Sequence, residues 1–185
     1  MTQRSMADLE AKLDYFLDAP RDVGTVELVV RRPAVDQREV RVEGELHPSV
    51  GLVGDTWIER GSKRTEDGSS HPDMQLNVMN ARVISYIAGD PDRRALAGDQ
   101  LYLDLDITEA NLPPGTRLAL GTAVIEVTEQ PHRGCAKFSD RFGLDALRFV
   151  NSPHRRDLRL RGLNAKVVTP GVVRPGDKVT KVSDD

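Results

Sequence analysis

Apolar residues recur at helical spacing near the amino terminus, where Leu9, Leu13, Phe16 and Leu17 form one stripe over Ser5–Leu17. Ser5 is placed to cap this predicted helix and Ala19-Pro20 to end it. The stripe is a packing face, suited either to clasping the remainder of the chain or to meeting a second subunit. From Gly24 the period changes to two: Gly24–Arg31 predicts a strand, and Arg38–Leu46 alternates charged with aliphatic residues as a half-buried strand does. Glu59–Asp73, rich in glycine, serine and charge, predicts a long exposed loop. Asn80–Ala88 returns to helical spacing through Val83, Ile84 and Ile87, with Gly89 as its stop.

The second half is more strongly strand-like. Leu101, Leu103, Leu105 and Ile107 alternate with Tyr102, Asp104 and Asp106, and Thr116–Gly121, Ala123–Thr128, Leu163–Val168 and Lys178–Val182 predict further strands. Pro113-Pro114-Gly115 and Pro175-Gly176-Asp177 are turns, Gly171–Gly176 is a turn and not a phosphate loop, and Leu144–Val150 predicts a short helix. Many short strands with glycine and proline punctuation predict a mainly β (α+β) fold, a closed or sandwiched β core with a few short helices. Residues 1–20 read as an N-terminal helical extension and residues 21–185 as the β-barrel-like domain.

Composition narrows the function classes. The chain has 185 residues, 30% charged and 38% hydrophobic, with a net charge of −3, which is globular and gives no electrostatic case for nucleic acid as a partner. The arginine-rich run His154–Arg161 reads as a solvated face broken by Leu158 and Leu160. One cysteine cannot form an internal disulfide, and the amino terminus lacks a leader pattern, so a cytoplasmic home is expected. No apolar run approaches the roughly 20 residues of a membrane helix.

That cysteine, Cys135, lies in Pro131-His132-Arg133-Gly134-Cys135-Ala136-Lys137-Phe138. Flanking cations favour a reactive thiol able to bind a soft metal, whereas an unpaired cysteine is also commonly a buried apolar filler. His132, His71 or Asp73 would be its partners in a zinc site, although paired ligands at zinc spacing are lacking. A hydrolase-type Cys-His nucleophile ranks low because no protease signature surrounds Cys135.

Several segments together resemble the MOSC domain, the module named after the carboxy-terminal part of molybdenum cofactor sulfurases. They are Gly51–Asp55, Ala97–Leu101, Arg117–Thr128, Gly134-Cys135 and Arg161–Asp177, in that order between Leu46 and Val182. Asp99 and Gln100 stand in place of the family's usual Glu and Asn, Trp57 in place of a histidine, and Gly134 in place of a proline. The resemblance implies a closed β-barrel-like core and a cysteine, here Cys135, that ligates molybdenum. It implies a molybdenum cofactor (molybdopterin), an oxidoreductase acting on small N-hydroxylated compounds, and an external electron-donor protein; the family is also associated with pyridoxal phosphate. Within that reading His132 supplies a proton, Arg133, Lys137 and Arg64 meet the cofactor phosphate, Asp55 and Asp99 orient groups at the site, and Asn77 and Asn111 donate hydrogen bonds to the pterin. Asp55, Asp99, His132, Asn77 and Asn111 read at least equally well as loop or turn residues, and Arg64 reads more readily as a solvent-facing loop cation. A homo-oligomer is compatible with the pattern, and so is a non-catalytic sulfur or cofactor carrier that holds a persulfide on Cys135.

Overall fold

A computed structural model describes residues 3–182. The outer ends of the 1–20 and 21–185 segments therefore lie outside the described residues. Among the described residues there are eleven strands: β1 Val23–Arg31, β2 Glu39–Arg41, β3 Gly44–His47, β4 Gly51–Leu52, β5 Leu76–Asn80, β6 Leu101–Asp104, β7 Arg117–Leu120, β8 Ala123–Val127, β9 Leu163–Thr169, β10 Gly171–Val173 and β11 Lys178–Lys181. Six short α-helices accompany them: α1 Met6–Glu10, α2 Leu13–Leu17, α3 Trp57–Arg60, α4 Ala81–Ala88, α5 Ala136–Phe142 and α6 Leu144–Val150.

Seven strands close a barrel in the order β1-β6-β5-β9-β8-β7-β11 and back to β1. The long strand β1 makes the closure, pairing β11 through Val23–Thr25 and β6 through Thr25–Val29, with a register shift between Val26 and Leu28. Its last residues pair with the edge strand β2. Only β5 and β6 run parallel, and α4 lies on the crossover between them. A second, three-stranded sheet of β10, β3 and β4 flanks the barrel.

The alternation along the strands sorts side chains into two cores. Leu76, Val78, Leu101 and Leu103 fill the barrel, whereas Met79, Tyr102, Leu28 and Val30 point outward and pack beneath the helices with Leu9, Phe16, Ile84, Phe142 and Phe149. This corrects the one-sided reading of Leu101–Ile107: Tyr102 is buried in the helical layer, and the strand ends at Asp104. The expected Arg38–Leu46 strand is two strands in different sheets. The expected Ser5–Leu17 helix is also two pieces, broken at Ala11–Lys12, although Ser5 does cap the first in a capping box with Asp8. The break lets Leu9 join α6 while the Phe16 ring meets Phe149 edge-on at 6.1 Å. Gly171–Val173, read as a turn, is β10.

Candidate functional site

Cys135 is exposed and occupies the N-cap of α5, and its side chain makes no capping bond. The reading of this residue as a buried apolar filler is thereby excluded. Cys135 lines a cavity of about 340 Å³ walled by Arg32, Arg38, Arg60, Arg133, Lys137, Arg141 and Arg161 together with Asn77 and His132. Asp36 is the acid on that wall, and its carboxylate accepts from Lys137 Nζ (2.8 Å) and Arg141 Nη2 (3.0 Å).

Two further acids stand behind the wall and aim its arginines. Asp55 is buried and takes Arg32 in a fork, with Nε to Oδ2 at 2.8 Å and Nη2 to Oδ1 at 2.7 Å. The free arm of Arg32 donates to Asn77 Oδ1 and to the Gly98 carbonyl, each at 3.0 Å. Asp99, fully buried, accepts from Arg161 Nη1 at 2.8 Å on both oxygens. Against seven cations the site thus sets three carboxylates, Asp36, Asp55 and Asp99, so positive charge remains uncompensated. The guanidinium of Arg38 registers this: burial first, then repulsion from Arg141 and Arg32, pulls its pKa below the ordinary value. The Nε atoms of Arg38 and Arg161 are buried without a hydrogen-bond partner. An anion is the ligand that would relieve both conditions.

His132 Nε2 lies 2.7 Å from Asp99 Oδ1. A carboxylate only accepts, so the neutral ring carries its proton on Nε2 and keeps Nδ1 as an acceptor. Burial, and then the Arg161 charge, lowers the His132 pKa despite the pull of Asp99. For Asp99 burial works against ionisation, but Arg161 and His132 outweigh it and hold the carboxyl at about 2. Gly162 makes room for this ring: its φ is +115°, and a Cβ there would sit 2.2 Å from the Val78 carbonyl oxygen and 3.1 Å from His132 Cδ2.

Both shifts have the same consequence for folding. The unfolded chain binds more protons at each group, so stability is complete above pH 6.5, the unshifted histidine value. The His132 share is lost as pH falls below that point, and the Asp99 share is lost from 3.8 down toward about 2. Urea unfolding is expected to show stability declining as pH falls below about 6.5, with that slope absent in His132→Gln. A flat wild-type profile over this window would count against a neutral buried imidazole.

A larger cavity of about 500 Å³ adjoins the first and shares His132, Arg133 and Arg161 with it, so these three residues form the partition. Arg156 and Arg159 line it as well. The supposedly solvated arginine run therefore splits, since Arg161 is buried and Arg159 is half-buried with Nη1 donating to the Leu112 carbonyl at 2.6 Å.

Of the residues singled out in the sequence, Cys135, His132, Arg133, Lys137 and Asn77 meet at the cation-lined cavity, with Asp55 and Asp99 directly behind its arginines. Arg64 and Asn111 are placed elsewhere. Arg64 is exposed on the Glu59–Asp73 loop, donating to Gln130 Oε1 at 2.9 Å. Asn111 is buried beside the Arg21 and Asp106 carbonyls and accepts from Lys181 Nζ. His71 caps the turn at Pro72–Met74, and no group of three His, Cys, Asp or Glu side chains suited to a metal occurs among the described residues. Arg32, Arg38, Arg60, Arg141 and Arg161 were missed as site residues. Arg161 alone carried a signal, because it opens the Arg161–Asp177 segment that resembles the family.

The sequence matches the MOSC domain family over residues 69–180, more than half of the chain. The chain belongs to the MOSC domain family. Crystal structures with the same fold include the YuaD protein from Bacillus subtilis, with a TM-score of 0.59 and 16% identity, the alignment covering 88% of this chain and 97% of that one. YiiM from Escherichia coli superposes with a TM-score of 0.54 at 21% identity, over 87% of this chain and 71% of its own. YiiM from Geobacillus stearothermophilus gives a TM-score of 0.52 at 16% identity, over 89% and 75%. No curated protein matches the sequence. Among the described residues of this MOSC domain, no helix is long and apolar enough to cross a membrane.

Proposed function

We propose that this MOSC domain binds a molybdenum-pterin cofactor in the cation-lined cavity and reduces small N-hydroxylated compounds. The observation that carries the reading is an exposed thiol on the wall of a cavity whose cations outnumber its acids and whose buried arginine Nε atoms lack partners. Cys135 is the protein ligand for molybdenum, a soft thiolate donor being what such a metal selects. Arg38, Arg133 and Lys137 hold the cofactor phosphate, and Asn77 is the neutral hydrogen-bonding group beside the pterin. When bound, the cofactor supplies two-electron oxygen-atom transfer.

The other residues of the site orient and desolvate. Asp55 and Asp99 keep Arg32 and Arg161 aimed at the cavity without reaching it themselves. His132, with its Nε2 proton committed to Asp99, offers Nδ1 as the acceptor for a substrate hydroxyl; delivering a proton from that atom requires the ring to be charged first, which its surroundings disfavour. The larger cavity across the His132 partition gives the organic part of the substrate its space. With a single cysteine, these 185 residues hold no iron-sulfur ligand set, so electrons come from outside this domain.

Metal and pterin analysis of protein made in a cofactor-producing host tests the reading. About one molybdenum per chain together with pterin fluorescence is expected. Protein with neither, from a host that loads other molybdenum proteins, would overturn it and leave a sulfur carrier built on the exposed Cys135.

A further inference from the structure

We infer that Asn151 is the positioning residue for Cys135, its side-chain amide clamping the backbone of Gly134 so that the thiol turns into the cation-lined cavity. Asn151 ends α6 and faces the residue before the cysteine. Its Oδ1 accepts from the Gly134 N–H at 2.8 Å, and its Nδ2 donates to the Gly134 carbonyl at 3.0 Å. A primary amide carries donor and acceptor side by side and so satisfies both backbone groups of one residue at once, which a carboxylate or hydroxyl of similar length does less completely. The clamp requires an N–H at position 134, which proline lacks. A Cβ on Gly134 would lie 2.7 Å from Leu147 Cδ1 on α6, so a larger residue there would have to push the Leu147 side chain aside.

The other end of the segment is held by the His132 bond to Asp99. Residues 132–135 are thus pinned on both sides, and the Cys135 side chain is left without a capping bond. Buried Arg161, whose Nε has no partner, faces the same cavity and marks it independently as a place where a ligand belongs. Asn151 also lines the larger cavity, so a molecule bound there touches the side chain that sets the thiol. The inference rests on Cys135 being the working ligand of the proposed function, but its test needs no cofactor.

The experiment compares alkylation of Cys135 by anionic iodoacetate and by neutral iodoacetamide, each scaled to a neutral cysteine peptide. Both reagents attack the same ionised thiol, so the ratio reports the charge around it and not its ionisation. The wild-type chain is expected to favour iodoacetate by about fivefold over the peptide, the weight of one nearby exposed unit charge. In Asn151→Ala the preference should fall to the peptide's value. Phe149→Leu, which trims the buried ring of α6 away from Gly134, should lower the melting temperature while keeping the preference. In the wild type the Gly134 amide should exchange hydrogen more slowly than the amides of Arg133 and Cys135, a readout that stands even if Asn151→Ala fails to fold. Wild-type charge preference in folded Asn151→Ala, or a Gly134 amide as fast as its neighbours, would overturn the inference. A chain that shows the clamp but never takes up molybdenum would keep this inference and sink the metal role.

Discussion

Asp99→Ala is expected to cost about 3–5 kcal/mol of folding free energy, the range for breaking a buried ion pair from one side. Asp99 is wholly buried, and its oxygens take two contacts of 2.8 Å from Arg161 and one of 2.7 Å from His132. Without it the Arg161 guanidinium keeps Nη2 to the Ala97 carbonyl at 3.0 Å, a weak contact of Nη1 with the Met79 sulfur at 3.7 Å, and the face of Phe138 at 5.0 Å. None of these replaces a counterion for a guanidinium that is only 6% exposed. At about 2–4 °C per kcal/mol for a chain of this size, the melting temperature should drop by about 6–20 °C. The pair Asp99→Leu with Arg161→Met removes both charges and should recover most of the loss, because the penalty comes from the orphaned charge and not from a missing attraction. Urea unfolding of the single and double variants measures this. A single-variant loss under about 1 kcal/mol would mean that water already reaches Arg161.

Cys135→Ser should take molybdenum to background while leaving the fold unchanged. The Sγ atom is exposed and unbonded, and serine is a good N-cap, so the urea midpoint should move by no more than about 0.5 kcal/mol equivalent. The functional loss should be complete because oxygen is a far poorer donor than thiolate to a soft metal. Elemental analysis of variant and wild type from the same host decides it. Full retention of metal would remove the ligand assignment. By the same assay Arg133→Ala should weaken retention more than Arg64→Ala, since Arg133 lines both cavities and Arg64 lies on the exposed loop bonded to Gln130.

Much of the barrel was legible because strand alternation is local. Leu118 and Leu120, and Ala123, Ile125 and Val127, declare their buried face within a few residues, and the structure places them in the barrel core. The same period could not reveal that Tyr102 faces a second core, because a polar-tipped ring under a helix and one in solvent look alike along the chain. Nor could it reveal the break in Arg38–Leu46, where Val40 and Val42 are exposed although the alternation promised a buried face. The N-terminal helix failed in the same way. Its cap was readable from Ser5 and Asp8, but its interruption at Ala11–Lys12 serves the packing of Leu9 and Phe16 against α6 and α4, which no neighbouring residue announces.

Alone, the sequence determined the family and the β-rich class, because family motifs and side-chain period are written in consecutive residues. Tertiary structure decided which charges meet. Arg161 reaches Asp99 across 62 positions and Arg32 reaches Asp55 across 23, and both arginines look like surface residues until the fold buries them beside those acids. The physical reason is that a lone buried charge is prohibitively costly whereas a forked pair is tolerated. An arginine's place therefore depends on an acid that the fold, and not the local pattern, brings within 3 Å.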